Sequence, residues 1–120
     1  MAHKINTRDN SIVLALNKTY KTLIPLEMDR YDLRENVVFK VTHLGYGWDN
    51  PTRLKIISGN LRNNVHSSFF HNSTKNYNGS QAFLPLEKLK EKLGIDTDII
   101  VHFDPFNNYN NLPVVKLRDN

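Results

Sequence analysis

Two stretches of this chain combine basic side chains with uncharged hydrogen-bonding side chains and contain no carboxylate. Neither residues 11–26 nor residues 50–86 include an aspartate or a glutamate. Lysine and arginine bind phosphate oxygens, while Asn, Ser, Thr, His and Tyr bond to phosphates or to base edges. The chemistry that this pattern favours is recognition of a polyanion, although an asparagine-rich chain with merely solvated basic loops would look similar.

The side chains suited to such recognition fall at 17–21 and between 53 and 78. The candidate binding residues are Asn17, Lys18, Thr19, Tyr20, Lys21, Arg53, Lys55, Asn60, Arg62, Asn63, Asn64, His66, Ser67, His71, Lys75, Asn76, Tyr77 and Asn78. Among them Arg62 is the expected base reader, because a planar guanidinium can pair with guanine O6 and N7. Lys18 and Lys21 are expected to contact phosphates.

The same residues offer little for catalysis or metal binding. The chain has no cysteine, so a thiolate zinc site is excluded. His66 and His71 have no carboxylate near them in sequence, and Gly45 and Gly47 lack the flanking strand, helix and lysine of a nucleotide loop. We therefore predict no catalytic residue, no metal and no cofactor in this chain.

The composition bounds the class of protein. The chain has 120 residues, 39% of them apolar, and a formal net charge of +4, which fits one domain and is compatible with a nucleic-acid partner. We expect residues 1–10 to be a flexible N-terminal segment. This polar segment carries no apolar run of a secretion signal or membrane span, so we expect a cytoplasmic protein without a membrane partner.

Apolar alternation and turn residues predict a mainly β fold. The expected strands are 11–16, 22–24, 36–42, 53–58, 67–71, 81–84, 98–103 and 112–117. Short helices are expected at 26–31 and at 85–93; in the second, Leu86, Leu89 and Leu93 share one face and Gly94 follows as a stop.

Two segments that lie sixty positions apart resemble each other. Residues 22–27 read Thr-Leu-Ile-Pro-Leu-Glu, and residues 82–87 read Ala-Phe-Leu-Pro-Leu-Glu. Each precedes an expected short helix and then an apolar strand, so the chain resembles two degenerate β-α-β units. We expect these pseudo-twofold repeats to close on each other as a single open pseudobarrel of about seven strands.

The order of elements resembles the DNA-binding pseudobarrel, a fold shared by a class of plant transcription factors and by recognition domains such as the N-terminal domain of EcoRII. The likeness is carried by Ile24-Pro25, by Trp48 after a glycine turn, by residues 93–103 and by the closing strand that ends at Arg118. The family's usual Gly-Asp before the late strand is Thr97-Asp98 here. The resemblance implies two arms that grip the major groove, at 17–21 and at 53–75.

The function that follows is sequence-specific binding of double-stranded DNA. The resemblance implies the recognition module of a restriction endonuclease, with a nuclease domain elsewhere in the same full-length protein, or a small transcriptional regulator. A non-enzymatic interaction or assembly barrel, such as a phage accessory protein, is the alternative from another class. The Ile-Pro-Leu-Glu units also resemble the AbrB type of regulator, whereas a hydrolase lacks a nucleophile and base.

Overall fold

The computed structural model describes residues 14–47, 49–64, 82–103 and 112–117, which form two antiparallel sheets and one helix. The five-stranded sheet has the order β8-β5-β4-β1-β9 and the four-stranded sheet the order β2-β3-β6-β7. The strands are β1 (Thr19–Thr22), β2 (Leu26–Glu27), β3 (Tyr31–Leu33), β4 (Val38–His43), β5 (Thr52–Ser58), β6 (Asn60–Asn63), β7 (Leu84–Pro85), β8 (Ile100–Phe103) and β9 (Val114–Lys116). The helix α1 spans Leu86–Leu93.

The core lies against the inner faces of both sheets, because buried and half-exposed side chains alternate along the strands. In β1 and β4 the buried positions include Tyr20 and Phe39, whose rings stack with centroids 5.8 Å apart. The Tyr20 hydroxyl accepts a hydrogen bond from the Ala15 amide at 2.8 Å. A tyrosine therefore fills the core without leaving its polar atom unsatisfied.

The two sheets are joined by a corner at Gly59, between a central strand of one sheet and a central strand of the other. The chain passes directly from β5 into β6 there, with a φ of 118°, and a Cβ at this position would lie 2.7 Å from the Val37 Cα. Only glycine fits such a close approach of two backbones. On the opposite side of the corner the Thr22 hydroxyl donates to the Arg34 carbonyl at 2.7 Å and accepts from the Val37 amide at 2.9 Å.

Helix α1 confirms the helix expected at 85–93. Leu86 and Leu89 are buried against the core, as the spacing of the leucines predicts. Gly94 ends the helix with a φ of 74°, and its amide donates to the Glu91 carbonyl. This left-handed residue is the usual way for a helix to stop at glycine.

The helix expected at 26–31 is wrong. This segment forms the hairpin of β2 and β3, in which the Met28 amide donates to the Tyr31 carbonyl at 2.8 Å and Arg30 adopts a φ of 76°. A left-handed residue reverses the chain and is incompatible with a helix. The pseudo-twofold β-α-β repeat is therefore wrong as well: residues 22–27 and 82–87 have similar sequences but lead into different structures.

The remaining strand predictions are mixed. The strands expected at 36–42, 53–58, 98–103 and 112–117 correspond to β4, β5, β8 and β9, and the one at 81–84 only touches β7. Residues 14–16 and 23–24 are not strands, and the segments 17–21 and 60–64, where no strand was expected, contain much of β1 and all of β6. The described residues thus hold nine strands rather than about seven. Residues 1–10 and 67–71 lie outside the described residues.

Candidate nucleic-acid interface

The outer face of the five-stranded sheet carries a group of cations on three adjacent strands. Because Tyr20, Phe39 and Leu54 are buried, the alternation of a strand turns Lys21, Lys40, Lys55 and Arg53 to the other side. Lys40 pairs in register with Thr19 on β1 and with Lys55 on β5. We call Lys21, Lys40, Arg53 and Lys55 the basic face.

Few carboxylates offset these charges. Among the described residues, the only ion pair of the basic face joins Lys55 Nζ to Asp98 Oδ2 at 3.9 Å. Both side chains of that pair are solvent-exposed, so the attraction is weak. Lys40 and Lys55 stand directly opposite each other, and such like-charged cross-strand pairs are destabilising. The face therefore has an excess of positive charge that the fold itself does not use.

A row of nitrogen-bearing side chains crosses the end of this sheet beside the β4–β5 turn. Arg53 pairs in register with His43 on β4 and with His102 on β8. Burial lowers the pKa of His102, and the charges of Arg53 and Arg30 lower it further, while Asp29 opposes them. We call His43, Arg53 and His102 the end row.

The β4–β5 turn is held by short contacts that fix the position of the end row. His43 Nε2 lies 2.8 Å from Asn50 Oδ1, and the Gly45 amide donates to Thr52 Oγ1 at 3.1 Å. A Cβ on Gly45 would lie 1.8 Å from the Asn50 carbonyl oxygen, so no other residue fits there. The turn therefore holds the ends of β4 and β5 close together.

On the four-stranded sheet, in contrast, a cation is paired with a buried carboxylate. Arg62 donates from Nε at 3.0 Å and from Nη2 at 2.6 Å to Asp32 Oδ2. Asn64 Nδ2 donates to the other Asp32 oxygen at 2.5 Å. Asp32 is only 5% exposed, and its charge is satisfied by these donors. We call Asp32, Arg62 and Asn64 the Asp32 cluster.

An aromatic ring adds a second restraint to this cluster. The Arg62 guanidinium carbon lies 4.5 Å from the centroid of the Phe83 ring, and that of Arg34 lies 4.8 Å from the same centroid. Both distances are within the range of cation–π attraction. Arg62 is therefore built into the sheet, with one edge of its guanidinium occupied by Asp32.

These contacts show where the side chains of the candidate residues lie. Lys21, Arg53 and Lys55 come together on one face, although they are distant in sequence. Tyr20 is 1% exposed, so its side chain lies in the core and not at a binding surface. The expected bidentate contact of Arg62 with guanine is disfavoured, since its Nε–Nη2 edge already binds Asp32.

The other candidates fall into three groups. Asn17 and Asn60 are exposed, and Lys18, Thr19, Asn63 and Asn64 are half-buried. Asn64 belongs to the Asp32 cluster, and the buried Asn63 Oδ1 accepts no hydrogen bond from the described residues. The candidates outside the described residues are His66, Ser67, His71, Lys75, Asn76, Tyr77 and Asn78.

The structure also adds residues that the sequence did not single out. Lys40 lies at the centre of the basic face, and His43 and His102 flank Arg53. The alternation in Val-Phe-Lys-Val-Thr-His already indicates that Lys40 faces away from the core. What the sequence could not supply is that β4 lies between β1 and β5.

The described ranges contain no group of three His, Cys, Asp or Glu side chains that could hold a metal ion. No helix within the described part of the chain is long and apolar enough to cross a membrane. The chain matches no protein-family model, no curated protein and no solved structure.

Proposed function

We propose that this chain binds double-stranded DNA through the basic face of its five-stranded sheet. The observation that carries the proposal is the position of Lys40, which lies on the central strand β4 directly opposite Lys55. A fold gains nothing from placing two lysines opposite each other, because their repulsion costs stability. An anionic ligand on this face would relieve the repulsion between the two lysines, and this relief would favour its binding.

The spacing of the basic face suits a polyanion. Neighbouring strands lie about 4.8 Å apart and alternate residues of a strand about 6.8 Å apart, so these cations are spread over a surface rather than gathered at a point. Duplex DNA carries about one charge per 1.7 Å of its axis. Several phosphates can therefore meet several lysines at once, whereas one small anion would reach only one or two.

The fold gives a second line of support. The chain passes directly from one sheet to the other at Gly59, between β5 and β6, an arrangement compatible with the open pseudobarrel that the sequence resembles. We infer a recognition domain without a catalytic centre of its own, either the target-recognition module of a larger nuclease or a small regulator.

Fluorescence anisotropy of the full chain with a labelled 20-base-pair duplex at several salt concentrations tests the proposal. We expect log Kd to rise with log salt with a slope of about 3, which corresponds to three or four neutralised phosphates. Lys40→Ala should reduce that slope by about 0.9, the contribution of one phosphate contact. The matched control is Lys88→Ala, which removes an exposed lysine of helix α1 and should leave the slope unchanged.

Two results would refute the proposal. The first is a dissociation constant weaker than roughly 0.1 mM at physiological salt, below the usual range of non-specific binding. The second is an equal effect of Lys40→Ala and Lys88→Ala, which would mean that net charge matters and the basic face does not. In the second case the face would be a solvated surface of an assembly barrel.

A further inference from the structure

The end row differs chemically from the lysines of the basic face. An ammonium group only donates hydrogen bonds and acts as a point charge, whereas a guanidinium donates in a fixed planar fork and a neutral imidazole both donates and accepts. Arg53 is exposed and lies in register between two histidines. Planar groups with directional donors and acceptors are those that distinguish base edges.

The surroundings of each histidine fix what it can offer. The amide oxygen of Asn50, 2.8 Å from His43 Nε2, can only accept, so Nε2 carries the proton and Nδ1 of the neutral ring is an acceptor. Burial is the first cause of the lowered pKa of His102, and it favours the neutral ring. The row therefore presents an acceptor, a forked donor and a group able to do either.

The location of the row suits a groove. It lies at the end of β4 and β5, next to the turn that Gly45 closes tightly. The row spans three adjacent strands, β4, β5 and β8. At about 4.8 Å per strand spacing the outer two backbones lie about 9.6 Å apart, which is less than the roughly 12 Å width of a major groove. Lys40 and Lys55 lie further along β4 and β5, and Lys21 lies on the neighbouring β1, where the phosphates that flank a groove would be.

We propose that the end row reads base edges in the major groove, with Arg53 as the residue that determines specificity. The inference rests on the proposed function and adds to it separate roles for the end row and for the lysines of the basic face. Arg53 pairs with guanine O6 and N7, and His43 Nδ1 accepts from the exocyclic amino group of a neighbouring cytosine or adenine. The basic face beyond Arg53 holds the backbone without regard to sequence.

The test separates charge from shape at Arg53. The wild-type chain first selects its preferred sequence from a random 20-base-pair library, and each variant is then titrated with the selected duplex and with a shuffled one. Arg53→Lys keeps the charge and removes the fork, so it should lose roughly 10-fold in affinity for the selected duplex and less than about 2-fold for the shuffled one. Lys40→Ala should lose equally on both.

The possible outcomes are distinct. The inference would be overturned if the selection gave no consensus sequence, or if Arg53→Lys bound the consensus as well as the wild type does. In either case salt-dependent binding by the wild type would still support the proposed function. Absence of duplex binding by the wild type would refute both. Thermal melting of Arg53→Lys should match that of the wild type, because Arg53 is exposed and the charge is kept. A variant that melts normally and loses discrimination supports the reading role.

Discussion

The outer faces of the two sheets use cationic side chains in opposite ways. On the four-stranded sheet, Arg62 is bound by a buried carboxylate and packed on an aromatic ring. On the five-stranded sheet, Lys40 faces another lysine, and the one ion pair nearby in the described residues is long and exposed. In the first arrangement the charge helps to hold the fold together, whereas in the second most of the charge has no carboxylate partner among the described residues.

The difference shows why a count of charges along the chain is a poor guide to a binding surface. Arg62 and Lys55 lie in the same acid-free stretch, and both were candidate binding residues, with Arg62 the expected base reader. The partner of Arg62 is Asp32, thirty residues away in sequence and adjacent only through the pairing of β3 with β6. Whether a cation is available depends on strand pairing and not on its neighbours in sequence.

The largest effect should come from breaking the corner that joins the two sheets. Gly59→Ala would place a Cβ 2.7 Å from the Val37 Cα at a positive φ, so we expect a loss of about 3 kcal/mol from strain and overpacking together. Gly94→Ala is the matched control, since Gly94 has a positive φ of 74° but nothing within 4 Å. It should cost about 1 kcal/mol, and equal losses in urea denaturation would contradict the close contact at Gly59.

The next effect tests the paired charges of the four-stranded sheet. Asp32→Ala removes the acceptor of three hydrogen bonds and leaves Arg62 without its carboxylate, so we expect a loss of about 2–4 kcal/mol, moderated by the access of Arg62 to water. Asp98→Ala breaks the exposed pair with Lys55 and should change stability by less than about 0.5 kcal/mol. Urea denaturation of both variants measures the difference, and similar values would show that the two sheets do not differ as described.

A smaller effect of the opposite sign is expected on the five-stranded sheet. Lys40→Thr removes the repulsion with Lys55 and places a β-branched residue in a strand, so the fold should gain about 0.2–1 kcal/mol. The electrostatic part of the gain should shrink at 0.5 M salt, because surface charges are screened. A loss of stability from Lys40→Thr at low salt would mean that the lysine side chain supports the sheet.

The smallest expected effect concerns the half-buried His102. Its pKa is lowered in the folded chain, first by burial, so the unfolded chain binds the proton more readily and stability falls as the pH drops through about 6.5, the ordinary histidine value. His102→Gln should weaken this pH dependence between pH 7.5 and 5.5, measured as the change in melting temperature. An unchanged profile would assign the pH dependence to other groups.

Local sequence patterns predicted correctly those elements that are determined by residues close together in sequence. The leucine spacing and Gly94 predicted α1 correctly, and alternation predicted β4 and β5. The same alternation within Thr-Tyr-Lys-Thr would have placed Tyr20 in the core and kept Lys21 outside. No strand was expected at 17–21 because the segment is polar, whereas β1 is held there by its pairing with β4 and β9, which are distant in sequence.

The failed repeat shows where local patterns end. Both copies contain Pro-Leu-Glu, but only the second continues with apolar residues at helical spacing, Leu86, Leu89 and Leu93. The first continues with Met28-Asp29-Arg30 and turns back, and the Asp29 amide then bonds to the His102 carbonyl of β8. That long-range contact stabilises the hairpin, and no short window of sequence contains it.

The direct connections between the two sheets also determine how the fold opens. β3 leads into β4, and β5 leads into β6 at Gly59. The central strands of one sheet therefore cannot separate without also pulling apart the central strands of the other. The central amides of both sheets should therefore exchange with deuterated solvent in one cooperative opening. A ligand bound only to the basic face would then slow exchange at Leu33 and Leu61 on the far sheet, which would make the four-stranded sheet a reporter for occupancy of the five-stranded one.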